Sequence, residues 1–224
     1  MTQNQGIYNP DPGADADVIV DGFLRELGQR ALSGAALDVT RIRQRADEIA
    51  GQHAARTPDQ VSAHNLRYAC AILAAHEALV ERGLADSALG ILRDTFSAAG
   101  DFVRHKTRAG LDASADPFRE LVNVSKAREA QQFGTGFELA RVRDDDHQYL
   151  LDVRRCLWHD FFVDVGRPEL TVVLCDFDST WFTAIDPARH GFRFQRETTL
   201  GYGGGHCPFH FLRLSPASPS PTGR

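Results

Sequence analysis

The sequence predicts an α+β fold: an N-terminal helical layer packed with a C-terminal antiparallel sheet of about four strands plus short helices. Three observations predict it. From about residue 18 to 131, apolar residues recur at spacings of three and four, the period of helices with one buried face. Beyond residue 136 the pattern changes to strict alternation, the period of half-buried strands. Helices and strands are segregated along the chain rather than interleaved, which favours α+β over a parallel α/β sheet.

The elements follow in order. Residues 1–16 hold Asn, Asp, Pro and Gly in quick succession and read as a flexible lead-in. Val20, Phe23, Leu24 and Leu27 then form one apolar stripe, and Ile42, Ala46 and Ile49 a shorter one. A third helix has a start signal in Thr57, Pro58 and Gln60, an apolar line through Leu66, Ala69, Leu73 and Val80, and a stop at Gly83. The fourth is the most regular. Asp86 caps it, and Leu89, Leu92, Phe96, Ala99 and Val103 carry one unbroken stripe towards Gly110. Arg104, His105, Lys106 and Arg108 lie in its last turns, where positive charge favours a helix C-terminus. A fifth helix opens at Asp116-Pro117 and runs to about Gln131.

Residues 137–143 and 149–154 alternate on either side of the polar tip 144–147, the pattern of a β-hairpin. A short helix over 157–165 ends at Gly166, and Pro168 opens another that passes Cys175 towards Trp181. Asp186-Pro187 makes a turn, with His190 as a loop residue. Residues 192–200 read as a strand, 201–205 as a wide glycine turn and 208–214 as the returning strand. The tail, 214–224, is rich in Pro and Ser and reads as disordered. The whole makes one α+β domain over 17–213, with a helical part (17–131) and a sheet part (132–213).

Composition narrows the function classes. The 224 residues are enough for a proper core, and 42% hydrophobic residues is an ordinary globular value. A formal net charge of −5 argues against a nucleic-acid partner. No apolar run reaches the ~18 residues of a membrane span, and residues 1–17 carry no secretory signal. The expectation is a cytoplasmic protein with reduced thiols. These features do not set its oligomeric state. No Gly-x-Gly-x-x-Gly opens a helix after a strand, so a dinucleotide site is not expected, and no Gly-x-Ser-x-Gly elbow is present.

Chemistry-bearing groups concentrate in the last third, where three of the four cysteines fall. Cys156 stands at a helix start beside Arg154 and Arg155, surroundings that lower a thiol pKa. Cys175 and Asp178 share a helix face at i and i+3. Cys207 follows the glycine turn between two histidines. On a strand, His206, Pro208 and His210 face one way and Cys207, Phe209 and Phe211 the other. Cys70, in the apolar run 68–75, reads as a packing residue.

Three readings stand side by side. One cysteine is a nucleophile activated by a partner that the fold brings close. Alternatively, Cys156, Cys175, Asp178 and Cys207 gather around a divalent metal such as zinc. In the third, the thiols only line a core or pocket. Arg196 lies on the inward side of its strand with Phe192 and Phe194, while Glu197 and Thr199 take the other side. An inward guanidinium calls for a partner: a substrate carboxylate, or an acid of the chain such as Asp178.

The last third also carries a family pattern. A Cys opens a helix (Cys156), followed by a Gly-x-Pro-Glu turn (Gly166, Pro168, Glu169) and Cys-x-x-Asp (Cys175, Asp178). Phe-x-Arg-x-x-Thr-Leu (Phe194, Arg196, Thr199, Leu200), a glycine turn and Cys-x-Phe-x-Phe (Cys207, Phe209, Phe211) complete it. This resembles the L-2-amino-thiazoline-4-carboxylic acid hydrolase family, over roughly 60–213 and most strongly over 150–213. Beside the last cysteine, where relatives carry an acidic residue, stand His206 and Pro208, a departure that bears on substrate. The resemblance implies a hydrolase that opens a cyclic C–N or C=N bond of a carboxylate-bearing heterocycle. The catalytic candidates are Cys156, Cys175, Asp178 and Cys207, and the candidate substrate contacts are Arg196, Thr199 and His206. The alternatives are a secondary-metabolism tailoring enzyme or small-molecule-binding protein on the same fold, and a helical interaction module.

Overall fold

The computed structural model describes residues 9–30, 37–57 and 59–214. Six helices come first: α1 (Pro12–Gln29), α2 (Val39–Gln52), α3 (Gln60–Glu81), α4 (Ala85–Ala99), α5 (Asp101–Ala113) and α6 (Pro117–Gln131). A hairpin follows, β1 (Glu138–Asp144) and β2 (Gln148–Arg155), then α7 (Leu157–Asp164), α8 (Thr171–Phe177), α9 (Ser179–Phe182) and α10 (Pro187–His190). The chain closes with β3 (Phe192–Gln195) and β4 (Cys207–Arg213). The strands form one antiparallel sheet in the order β1-β2-β4-β3. The fold is the α+β class expected from the change of period.

The apolar stripes do the packing. Phe23, Leu24 and Leu27 of α1, Ile42 and Ile49 of α2, Leu66 and Leu73 of α3 and Leu92 and Phe96 of α4 share one core, which reaches Val153, Cys156 and Cys207 of the sheet part. A second, smaller core joins Leu111 of α5 and Phe118, Leu121 and Val122 of α6 to Tyr149, Leu151, Phe192 and Phe211. One face of the sheet is thus covered by helices at both of its ends.

Several local expectations change. Helix α1 starts at Pro12, inside the expected lead-in, because Asp11 accepts the Ala14 N–H as an N-cap and Pro12 supplies the first turn. Asp-Pro opens α6 and α10 in the same way, so the pair is a start signal here and not a break. Residues 1–8 of that lead-in, the tail from 215 on, and Pro58 lie outside the described residues. The cap of α3 is Asp59 rather than Thr57. Asp59 also accepts from the hydroxyl and N–H of Thr135, and so ties the head of α3 to the loop before β1. Val80 is 39% exposed, and Leu79 takes the buried place expected for it.

The expected long fourth helix is two helices, broken at Gly100. Asp86 lies in the first turn of α4 but is not its cap, and Gly110 sits inside α5. The break has a tertiary cause. A Cβ on Gly100 would collide with the Phe177 ring and lie 2.9 Å from Thr180 Cγ2. Only a glycine lets α8 and α9 pack so close to this junction. The helix through Cys175 is likewise split at Asp178, which is the C-cap of α8. His190 is no loop residue. It is buried in α10, accepts the Asp186 N–H at Nδ1 (3.0 Å), and meets Asp112 of α5 through Nε2 at 2.9 Å.

The strand expected over 192–200 leaves the ladder after Gln195, which pairs with His210. The next partner on that face would be Pro208, opposite Glu197, and proline has no N–H to donate. Released from the ladder, the segment 196–199 turns towards α8, and this bend builds the site.

Candidate active site

Arg196 is the hinge of the arrangement. Its guanidinium donates to Asp178 Oδ2 at 2.7 Å and to the Cys175 carbonyl at 2.8 Å, at the C-terminal end of α8. It is held between the rings of Phe182 and Phe209, 5.1 and 5.4 Å from their centroids. The side chain is only 9% exposed. The other Asp178 oxygen accepts from Trp181 Nε1 at 3.3 Å. Of the two partners the sequence offers for this arginine, the structure therefore displays the internal one, Asp178.

Three residues further on, the chain reaches the thiols. The Thr199 hydroxyl donates to Cys175 Sγ at 3.2 Å, and the Leu200 N–H donates to Cys207 Sγ at 3.2 Å. The Gly201 N–H also points at Cys175, and a Cβ on Gly201 would stand 2.8 Å from that sulfur. Thr199, Leu200 and Gly201 are thus wedged against the two sulfurs. Thr199, expected on the face opposite Arg196, is buried and turned to the same helix, because the strand alternation ends before it. Cys156, at the N-cap of α7, is the third buried thiol of this core.

Burial governs the chemistry of all the thiols. It drives Cys156 far up; the N–H groups of His159 and Trp158 offset only part of this. The lowering expected from Arg154 and Arg155 does not occur, since both are exposed and the thiol is not. Burial pushes Cys207 up to about 11 and Cys70, in the middle of α3, to about 12. Cys175 is raised by burial and by the Asp178 charge too, but Thr199, Gly201 and Arg196 work the other way. It has the best-supplied sulfur of the four for holding negative charge.

Beside the thiols lies a second network that no sequence motif marks. Arg93 of α4 donates through Nε to Asp176 Oδ2 at 2.5 Å and through a terminal nitrogen to the Tyr202 hydroxyl at 3.1 Å. The Tyr202 hydroxyl donates to Asp176 Oδ1 at 2.7 Å. Burial and the carboxylate both push the phenol up, so it stays a donor. Asp176 was visible only as a neighbour of Cys175, and nothing in the local sequence of α4 marks Arg93. An open cleft of about 350 Å³ lies beside this network, lined among others by Arg93, Asp94, Asp176, Phe182 and Arg196.

Other candidates lie elsewhere. His206 and His210 turn to the opposite face of β4 from Cys207 and meet Asp152, at 3.7 and 2.9 Å, so neither is brought to the thiols. Among the described residues, no three His, Cys, Asp or Glu side chains are arranged to hold a metal ion. The donor groups aimed at Cys175 and Cys207 are a hydroxyl and backbone N–H groups, which suit a thiolate, and the zinc reading finds no ligand set here. No described helix is long and apolar enough to cross a membrane.

A helical layer over one face of a small antiparallel sheet, with cysteines, an Arg–Asp pair and a glycine turn gathered between α8 and β4, defines an α+β protein with a closed thiol site. The chain belongs to the L-2-amino-thiazoline-4-carboxylic acid hydrolase family, whose pattern it matches over residues 64–211. That family is named for a hydrolase. No curated protein and no solved structure matches the chain.

Proposed function

We propose that the protein is a hydrolase that opens a C–N or C=N bond in a small, carboxylate-bearing heterocycle, with Cys175 as the reacting group. One observation carries this reading. Cys175, Asp178, Arg196, Thr199 and Cys207, far apart in sequence, meet around the end of α8, next to a cleft of about 350 Å³. That volume suits a small ring.

The roles follow from the contacts. Cys175 adds to the ring carbon of the C=N group while its proton passes to the ring nitrogen. The carbon–nitrogen bond then opens, and water displaces the sulfur and returns a proton to it. The net change is one water added across the bond. The Thr199 hydroxyl and Gly201 N–H stabilise negative charge on the sulfur. Asp178 has both oxygens engaged, so its part is to hold Arg196 in place rather than to take a proton. One observation favours a non-hydrolytic binding protein or tailoring enzyme on this fold: burial keeps the thiols protonated in the closed arrangement.

The test is direct. Purified protein is incubated with 2-aminothiazoline-4-carboxylate, and ring opening is followed by mass spectrometry as the gain of one water. The wild type should turn the ring over, and Cys175→Ala should lose about a hundredfold or more of the rate. No turnover by the wild type, or a fully active Cys175→Ala, would refute the proposal.

A further inference from the structure

Two thiols of the site are covered. Cys175 and Cys207 are buried, and neither lines the open cleft beside Arg196. What covers them is the turn over 199–205, and it is built as a unit. Tyr202 and Gly204 donate their N–H groups to the Thr199 carbonyl at 3.0 and 2.9 Å, and Gly203 donates to Leu200 at 3.1 Å. A Cβ on Gly204 would run into the Thr198 side chain, so the two ends of the turn are closed on each other. Gly203 has a φ of +82°, and a Cβ on Gly205 would meet nothing within 4 Å, so its exit is open.

The unit is held to the body at two places. Its base rests on the sulfurs through Thr199 and Leu200, on the main core through the partly buried Leu200 side chain, and on Thr171 beside Gly201. Its tip is held by Tyr202, an aromatic residue 54% exposed that gains little from burial and whose hydroxyl sits on Asp176 and Arg93. Asp176 belongs to α8 and Arg93 to α4, so the tip is tied to both walls of the cleft. A large exposed ring on a glycine turn, fixed through its hydroxyl, is a fastening rather than a packing element.

We propose that the 199–205 turn is a lid over Cys175 and Cys207, latched by Tyr202 through Asp176 to Arg93, and that it lifts to admit substrate from the adjoining cleft. The lid rests on the reading of Cys175 as the reacting group, but its existence can be measured without any substrate. A thiol that reacts only when the lid is open is labelled at a rate set by the opening equilibrium.

The experiment labels the folded full chain with iodoacetamide near pH 8 and quantifies each cysteine by peptide mass spectrometry. Cys70, 1% exposed in α3, is the internal reference for global unfolding. Tyr202→Phe keeps the ring and removes the hydroxyl. It should speed labelling of Cys175 and Cys207 about tenfold, the effect of losing one bond to a carboxylate, and leave Cys70 unchanged. Arg93→Gln, which frees Asp176, should act in the same direction. Unchanged rates at Cys175 and Cys207 overturn the lid, as does an equal rise at all four cysteines. A Tyr202→Phe effect without an Arg93→Gln effect overturns the latch as drawn. The labelling rates are independent of turnover, so a lid on a protein with no hydrolase activity and hydrolysis without a lid are distinct results.

Discussion

Replacing Arg196 separates a structural arginine from a substrate anchor. In the folded chain its guanidinium makes two charge-assisted bonds, to Asp178 and to the Cys175 carbonyl, and lies between two aromatic rings. A lysine keeps the charge but is a single point, so it can satisfy one acceptor and not both. The lost bond is worth about 1.5–3 kcal/mol, and the lost ring contact about 0.5–1 kcal/mol. A cost of about 2–4 kcal/mol follows for Arg196→Lys. For a chain of 224 residues that is a fall in melting temperature of about 4–16 °C. Arg196→Met removes the charge altogether and leaves the Asp178 carboxylate, 21% exposed, without its cation. Its cost should be larger, about 3–5 kcal/mol. Thermal unfolding followed by circular dichroism measures both. A double-mutant cycle with Asp178→Asn should show a coupling of about 1–3 kcal/mol. If Arg196→Lys melts within about 1 °C of wild type while the Michaelis constant for an acidic substrate rises about tenfold, the arginine holds substrate and the structural argument is wrong. Additivity in the cycle would be equally damaging.

Two further outcomes follow from the packing and the caps. Gly100→Ala should destabilise by about 1–3 kcal/mol, since the new methyl overlaps Phe177, whereas Gly90→Ala in α4 meets open space and should stabilise by about 0.5–1 kcal/mol; urea unfolding of both reads the difference, and two effects of the same sign would defeat the explanation. Burial works upward on the Asp59 carboxyl, but hydrogen bonds from Thr135 and Ser62 outweigh it and hold its pKa well below the usual carboxylate range. A depressed folded pKa gives stability that is present above the unfolded value of about 3.9 and is lost as pH falls through the folded one. The cost of Asp59→Ala should therefore be full at pH 7 and shrink below about pH 4; denaturant midpoints across that range that show a constant cost would rule the linkage out.

How far the chain could be read before folding depends on the range of the forces involved. Amphipathic stripes are local, so the helices around Phe23, Ile42, Leu66 and Phe118, and the hairpin closed at 144–147, were legible from spacing alone. The family pattern from Cys156 to Phe211 also named the residues that meet at the end of α8. Boundaries set by tertiary contact were not legible. The stripe from Leu89 to Val103 is unbroken, and only the approach of Phe177 shows why Gly100 ends one helix and starts another. The alternation from Phe192 to Leu200 is equally regular, and the ladder stops at Gln195 for a reason that lies on β4 and in the pull of Asp178 on Arg196.

The sequence by itself determined the fold class, the family and the candidate residues, because period and motif are properties of neighbours along the chain. Tertiary contacts decided which partner Arg196 takes, that Thr199 turns inward to Cys175, that His206 faces Asp152 on the far side of the sheet, and that Arg93 and Tyr202 meet at Asp176. They also decided the state of the thiols. The arginines beside Cys156 in sequence point to a lowered pKa, but burial raises it, because desolvation depends on everything packed around a sulfur and not on the residues next to it in the chain.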